Sequence, residues 1–228
     1  MGRVAVAAVV AGTGVAVARG AGVFVTASVV KVDLVAALLL HRGGLGGLTE
    51  HQRAAAELAV VRSDNAAASE LYREVGGAAG LDAAYRALGL VETVAGRDGY
   101  WGLTGTTAAD RVRLLRQVFV GGGSLEPGGR RWLAGLLGRV VPEQAWGVSA
   151  AGGGRARLKN GWLPRTATGL WVVNSTGAVA ADGGRSVLVA VLSDGWPSLA
   201  EGVAAVESAA CGAVRACGAA RACRGTGA

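Results

Sequence analysis

The chain has 228 residues, 51% of them apolar, and a formal net charge of +7. That length makes one domain or two lobes sharing an interface, with chain enough for a sizeable core. No apolar run reaches the length of a membrane span, which argues against stable membrane insertion. The arginines are scattered between apolar residues and aromatics are few. The charge therefore reads as an arginine-coated surface, suited to an anionic cell-wall polymer, with nucleic-acid binding the minor alternative. Cys211, Cys217 and Cys223 recur every six residues in an alanine-rich tail. Six residues put them on different helix faces, so no metal site is expected.

Val4–Val10 and Val15–Ala18 flank Gly12-Thr13-Gly14. Val17 stands where a dinucleotide loop needs its third glycine, so that fingerprint fails. Arg3 and Ala-Val-Ala resemble a signal peptide, but cleavage after Ala18 would leave almost nothing before Ser28. The β-branched content favours a hairpin. Residues 26–40 then form an apolar helix, with Gly43-Gly44-Leu45-Gly46-Gly47 as a flexible break. Thr49 and Gln52 form a capping box opening a helix to about Val61. Arg62-Ser63-Asp64-Asn65 is a turn, and helices follow to about Val75 and, after Gly76-Gly77, to Gly89. The glycine-punctuated stretch 90–105 reads as a loop. Thr107 and Asp110 open a helix to about Phe119, and Pro127–Arg139 is amphipathic. Segments 145–150, 157–163, 169–176 and 185–193 look strand-like. Pro197, Ser198 and Glu201 open a last helix. This order predicts an α+β fold whose antiparallel sheet joins both chain ends: a discontinuous lobe of 1–27 with 140–228, and a helical lobe of 28–139.

Lysine occurs only at 31 and 159 in a chain with 23 Lys+Arg. Arginine cannot be deprotonated in a protein, so a site that needs a neutral amine must use lysine. Ser28 and Lys31 stand three apart and share a helix face. Burial lowers the pKa of an amine, which lets Lys31 take the serine proton. Free backbone N–H groups at the helix start suit an oxyanion.

Ser28-Val29-Val30-Lys31, Ser63-Asp64-Asn65 and Lys159-Asn160-Gly161 follow one another in the order S-x-x-K, S-D-N, K-T-G. Alone, the second is more often a helix cap and the third more often a β-turn. In order, with both lysines used, they make the chain resemble the class A β-lactamase and penicillin-binding serine hydrolase family. The leading hairpin, the middle helices, Thr106-Thr107-Ala108-Ala109-Asp110 and the final strands match that layout over nearly the whole chain. The resemblance implies a β-lactamase/transpeptidase-like fold, with an antiparallel sheet flanked by helices plus an all-helical lobe. It also implies Ser28 as nucleophile and Lys31 as its base. Ser63 would pass a proton to the leaving nitrogen, and Asn65 would hold the substrate amide. Lys159 would position Ser63 and attract the substrate carboxylate, beside Asn160 and Gly161. The oxyanion hole would use the N–H groups of Ser28 and Trp162.

Two departures stand out. Asn160 replaces the Thr or Ser whose hydroxyl would meet the substrate carboxylate, although an amide can still donate there. The E-x-x-L-N that supplies a deacylation base is missing from Val91–Trp101, where Glu92 is the one carboxylate at a suitable distance before Thr106, more consistent with a solvated surface group. His41 and His51 read as surface residues, and no G-x-S-x-G elbow exists. The expected activity is serine acyl-enzyme hydrolysis of a β-lactam or a D-Ala-D-Ala-like amide, slow in deacylation. The alternative is a relative that binds a cell-wall ligand or penicillin without turnover. By the same resemblance the protein is a cofactor-free monomer acting on a small molecule or peptidoglycan peptide, outside the cytoplasm or in the cell envelope, although the chain start carries no convincing export signal.

Overall fold

The computed structural model describes residues 2–152, 156–181 and 184–218. A five-stranded antiparallel sheet contains β1 (Arg3–Val10), β2 (Ala16–Arg19), β5 (Ala156–Pro164), β6 (Trp171–Ala180) and β7 (Ser186–Asp194), in the order β2-β1-β7-β6-β5. The hairpin forms as the glycine turn predicts, and β1 then pairs with β7 from Arg3↔Asp194 to Val10↔Val187. The first and last strands thus lie side by side inside the sheet.

Successive strand residues face opposite sides, so each face of β7 has its own partner. Val187, Val189 and Val191 pack with Val6, Ala8 and Val10 against Val206, Ala210 and Val214 of α7 (Leu199–Ala216). Leu188 and Leu192 face the other way, toward Leu115 and Ala108 of α5 (Ala108–Phe119). The helix α5 lies in the segment assigned above to the helical lobe, yet it covers the sheet.

The other core surrounds α1 (Val30–His41), which is buried from Val30 to Leu39. A helix with no polar face, its Lys31 and Asp33 buried with the rest, must sit inside other elements. Around it lie α2 (Glu50–Val61), α3 (Asn65–Glu74), α4 (Gly77–Leu88) and α6 (Pro127–Leu137). The Thr49–Gln52 capping box forms reciprocally, and Ser198 caps α7 through Glu201 N–H. Two short strands, β3 (Phe24–Val25) and β4 (Gly105–Thr106), pair separately.

Two local expectations change. Residues 147–151 form a 3₁₀ turn instead of a strand. Gly147 has φ +79° there, and its following N–H, on Val148, donates to Ser175 Oγ at 2.9 Å. A strand would have no room for that fold-back against β6. The loop 90–105 contains a 3₁₀ turn, Trp101–Leu103, and ends in β4. Cys211 and Cys217 are buried along and just after α7, and Cys223 lies outside the described residues. Among the described residues no helix is long and apolar enough to cross a membrane, and no cluster of metal-ligating side chains occurs.

Candidate active site

Ser28 sits in a 3₁₀ turn, Ala27–Val29, which runs directly into α1. The turn is strained, with Ala27 at φ +47°, a region that non-glycine residues seldom occupy. It persists because its entry is clamped. Asn174 on β6, fully buried, donates to Val25 O at 2.8 Å and Thr26 O at 3.0 Å and accepts from Ser193 N–H at 2.9 Å. Thr26 N–H donates to Thr104 O at 2.8 Å. Neighbouring structure that over-determines a strained residue is a mark of functional sites. No sequence motif pointed to Asn174; its position opposite Gly161 on β6 is what makes it matter.

Ser63 is the meeting point of the two lysines. Lys31 Nζ donates to Ser63 O at 2.5 Å, Ser63 Oγ at 3.1 Å and Asn65 Oδ1 at 2.7 Å. Lys159 Nζ donates to Ser63 Oγ at 2.9 Å and to Asn160 O at 2.8 Å. Both lysines are fully buried. Ser63 adopts φ +56°, which turns both its carbonyl and its hydroxyl toward the amines. Asp64, between Ser63 and Asn65, does the capping: its Oδ1 accepts from Ala67 N–H at 2.8 Å. The cap and the lysine contacts are thus shared among three adjacent residues. Lys159-Asn160-Gly161 lies mid-strand in β5 and makes no turn.

Burial pulls the Lys31 pKa down to about 8, with the Asp64 carboxylate pulling the other way. Burial and then the charge of Lys31 push Lys159 well below the ordinary lysine value. Two ammonium groups against one hydroxyl repel each other, so the charge of either amine makes a second charge on the other costlier. As an ammonium, Lys31 satisfies three acceptors with three N–H groups. On losing a proton it gains a lone pair beside Ser63 Oγ, three residues from Ser28. Ser28 Oγ is partly exposed and, among the described residues, makes no hydrogen bond.

Gly161 brings β5 against the serine turn. A Cβ there would lie 2.6 Å from Ser28 N and 2.8 Å from both Thr26 O and Val29 N, all of them backbone atoms. β5 therefore packs directly on the backbone of the serine turn. Gly161→Ala is expected to push the two apart and slow acylation of Ser28 by about a hundredfold. Stopped-flow or intact-mass rates check this; an undiminished rate would detach Gly161 from the cradle.

Asn160 is fully buried, and its amide donates to Gln144 O at 2.7 Å and Trp146 O at 2.9 Å. Both amide hydrogens face carbonyls within the protein. Its Oδ1 has no partner among the described residues. Trp162 is partly buried and packs against Trp146, with ring centroids 5.8 Å apart. Trp101, the last residue of the loop searched above for a deacylation base, lies over Lys31 with its ring centroid 5.1 Å from Nζ. Its indole N–H donates to Ser69 Oγ at 3.0 Å. Only the folded loop reveals this contact.

Glu92 is engaged elsewhere: its carboxylate accepts from Thr107 Oγ1 at 3.1 Å, and its N–H donates to Asp110 at 2.8 Å. It makes no hydrogen bond or ion pair with Lys31 or Ser63. His41 and His51 are exposed, and His51 pairs with Glu70.

A helix-flanked antiparallel sheet is joined to a helical lobe, with a serine, two buried lysines and a second serine at their junction, the layout of a serine hydrolase. The chain belongs to the beta-lactamase enzyme family, whose model matches residues 43–215. It is a serine hydrolase of the β-lactamase type. Ser28 and Lys31 precede the matched stretch, whereas Ser63 and Lys159 fall inside it. A β-lactamase from Streptosporangium roseum has the same fold, with TM-score 0.79 and 21% identity over 95% of this chain and 93% of that one. A β-lactamase from Xanthomonas campestris pv. campestris superposes with TM-score 0.77 and 21% identity, over 94% and 91%. A point mutant of PBP-A, solved as an acyl-enzyme complex with penicillin G, gives TM-score 0.77 and 20% identity over 92% and 88%. No curated protein matches the chain in sequence.

Proposed function

We propose that the protein opens an amide, in a β-lactam or a D-Ala-D-Ala-like peptide, through an acyl-enzyme on Ser28 that is released slowly. One observation carries the reading: Ser63 Oγ is held between two buried amines, at 3.1 Å from Lys31 and 2.9 Å from Lys159. Lys31 in its neutral form takes the Ser28 proton as Oγ bonds to the carbonyl carbon. The N–H groups of Ser28 and Trp162 receive the oxyanion. As the C–N bond breaks, Ser63 gives its proton to the leaving nitrogen and is reprotonated from the lysine pair. Asn65 presents its amide N–H to the substrate, since its Oδ1 is occupied by Lys31.

Slow release is supported by what surrounds Lys31. Its acceptors are Ser63 and Asn65, an indole covers it, and among the described residues no carboxylate hydrogen-bonds to it to activate water. The same features favour a second reading, a relative that binds such ligands without turnover.

Intact-protein mass after brief exposure to a penicillin and to a cephalosporin, with Ser28→Ala as control, separates the two. A lasting whole-drug adduct, absent in the control, is the expected result. A fleeting adduct with drug consumed would overturn slow deacylation, and no adduct with either drug would leave the binding-only reading.

A further inference from the structure

Residues 94–105 form a tightly tied finger. At its neck Val94 and Gly105 exchange N–H···O bonds of 2.9 Å each. Ala95 N–H donates to Asp82 Oδ1 at 2.9 Å, Gly96 N–H to Thr104 Oγ1 at 3.0 Å, and Tyr72 OH to Gly96 O at 2.8 Å. Arg97 pairs with Asp82 at 3.0 Å. The Trp101–Leu103 turn packs on the Ala27–Val29 turn that carries Ser28, and Thr26 Oγ1 donates to Gly102 O at 3.4 Å. Tyr100 and Leu103 are exposed, whereas Trp101 between them is turned in against the helical core.

The indole is held as firmly as the finger. Its N–H donates to Ser69 Oγ on α3 at 3.0 Å, and its ring centroid lies 5.1 Å from Lys31 Nζ. Trp101 thus reaches from the turn beside Ser28, across Lys31, to the helix that begins at Asn65. An indole face attracts an ammonium but is a poor partner for water. Tied in this way, the ring is a fixed wall.

An acyl group on Ser28 is an ester, and its hydrolysis needs a water within reach of both the carbonyl carbon and a base. Glu92 is engaged with Thr107, which leaves Lys31, three residues from the ester, as the amine that could serve. We propose that Trp101 excludes the hydrolytic water from beside Lys31, so that the acyl-enzyme persists because a fixed indole fills that space. This rests on the acyl-enzyme reading above and assigns its slow step to one residue. With the ring removed, water enters and its oxygen bonds to the acyl carbon as Lys31 takes its proton. The C–O bond to Ser28 then breaks, the proton passes to Ser28 Oγ, and the free acid leaves.

The test labels the full chain with benzylpenicillin, removes free drug and follows the adduct by intact mass. Lifetime read this way does not depend on how fast the label formed. Trp101→Ala opens room for several waters, at about 30 Å³ each. It is expected to shorten the adduct lifetime at least about tenfold, within what a positioned base contributes to proton transfer. Trp101→Phe, whose ring still covers Lys31, is expected to keep most of the wild-type lifetime. An unchanged lifetime in folded Trp101→Ala, verified by its melting curve, overturns the proposal and leaves the acyl-enzyme reading standing. Release from Trp101→Phe as fast as from Trp101→Ala also overturns it, since a loosened finger and not the lost ring would then be the cause. No label on the wild-type chain overturns both readings.

Discussion

Replacing Lys31 by methionine is expected to slow acylation of Ser28 by about 10²–10⁴-fold, the usual loss when a positioned general base is removed. Methionine keeps an unbranched chain of similar length in the buried slot, so near-ultraviolet circular dichroism should stay native. The pH profile makes the assignment specific. With its pKa lowered to about 8 by burial, Lys31 is an ammonium without a lone pair below that pH and a competent base above it. Wild-type acylation should therefore rise as pH climbs through about 8 and then level off. In Lys31→Met the residual rate should lose that inflection. Acylation at the wild-type rate in a folded variant, or an inflection that persists, would assign the base elsewhere. The linkage sign agrees: a lysine whose folded pKa lies below its unfolded value binds its proton more weakly in the native state. Lys31 thus contributes stability fully only above the unfolded lysine value, and that contribution is lost as pH falls through about 8. The fold holds this amine at a cost in stability, as a catalytic group often does.

The second large effect concerns stability. Asp33, two residues past Lys31 on α1, is fully buried, and Arg111 of α5, 2% exposed, donates to it at 2.5 Å. Tyr85 OH donates to the same carboxylate at 3.1 Å. Arg111→Leu leaves that carboxylate without its cation and is expected to cost about 3–5 kcal/mol. For a chain of this size that lowers the melting temperature on the order of 10 °C. Asp33→Asn in the same protein should recover at least half of the loss, because no buried charge then remains. Burial already pushes the Asp33 carboxyl above its ordinary value, against the pull of Arg111. A carboxyl raised in the folded state contributes stability at acid pH that is lost as pH rises through its folded pKa. The deficit of Arg111→Leu should therefore widen with rising pH. Melting curves across pH check this, and a small, pH-independent change would show that the pair matters little.

Much of the architecture was legible from local signals. The Thr49–Gln52 capping box, the Ser198 cap and the glycine breaks after His41, Val75 and Leu88 act within a few residues, and such signals survive into the fold. The run from Val30 to Leu39 announced its own burial, since no face of it is polar. Segment 145–150 misled because its composition suits a strand equally well, and its turn is decided by the contact of Val148 with Ser175, 27 residues away.

The candidate site divides along the same line. The amino-acid sequence by itself determined the chemical inventory: two lysines in an arginine-rich chain, placed in S-x-x-K, S-D-N and K-N-G in order, because residue identity sets which groups can titrate, attack or donate. Only the tertiary structure decided how those groups are used. It turned both amines onto Ser63, occupied the Asn160 donors with the Gln144 and Trp146 carbonyls, bonded Glu92 to Thr107, and laid Trp101 over Lys31. Each of these joins residues from different elements, many of them far apart in the chain. Hydrogen-bond partners, burial and the pKa shifts that burial causes exist only once the sheet and the helical core have brought those elements together.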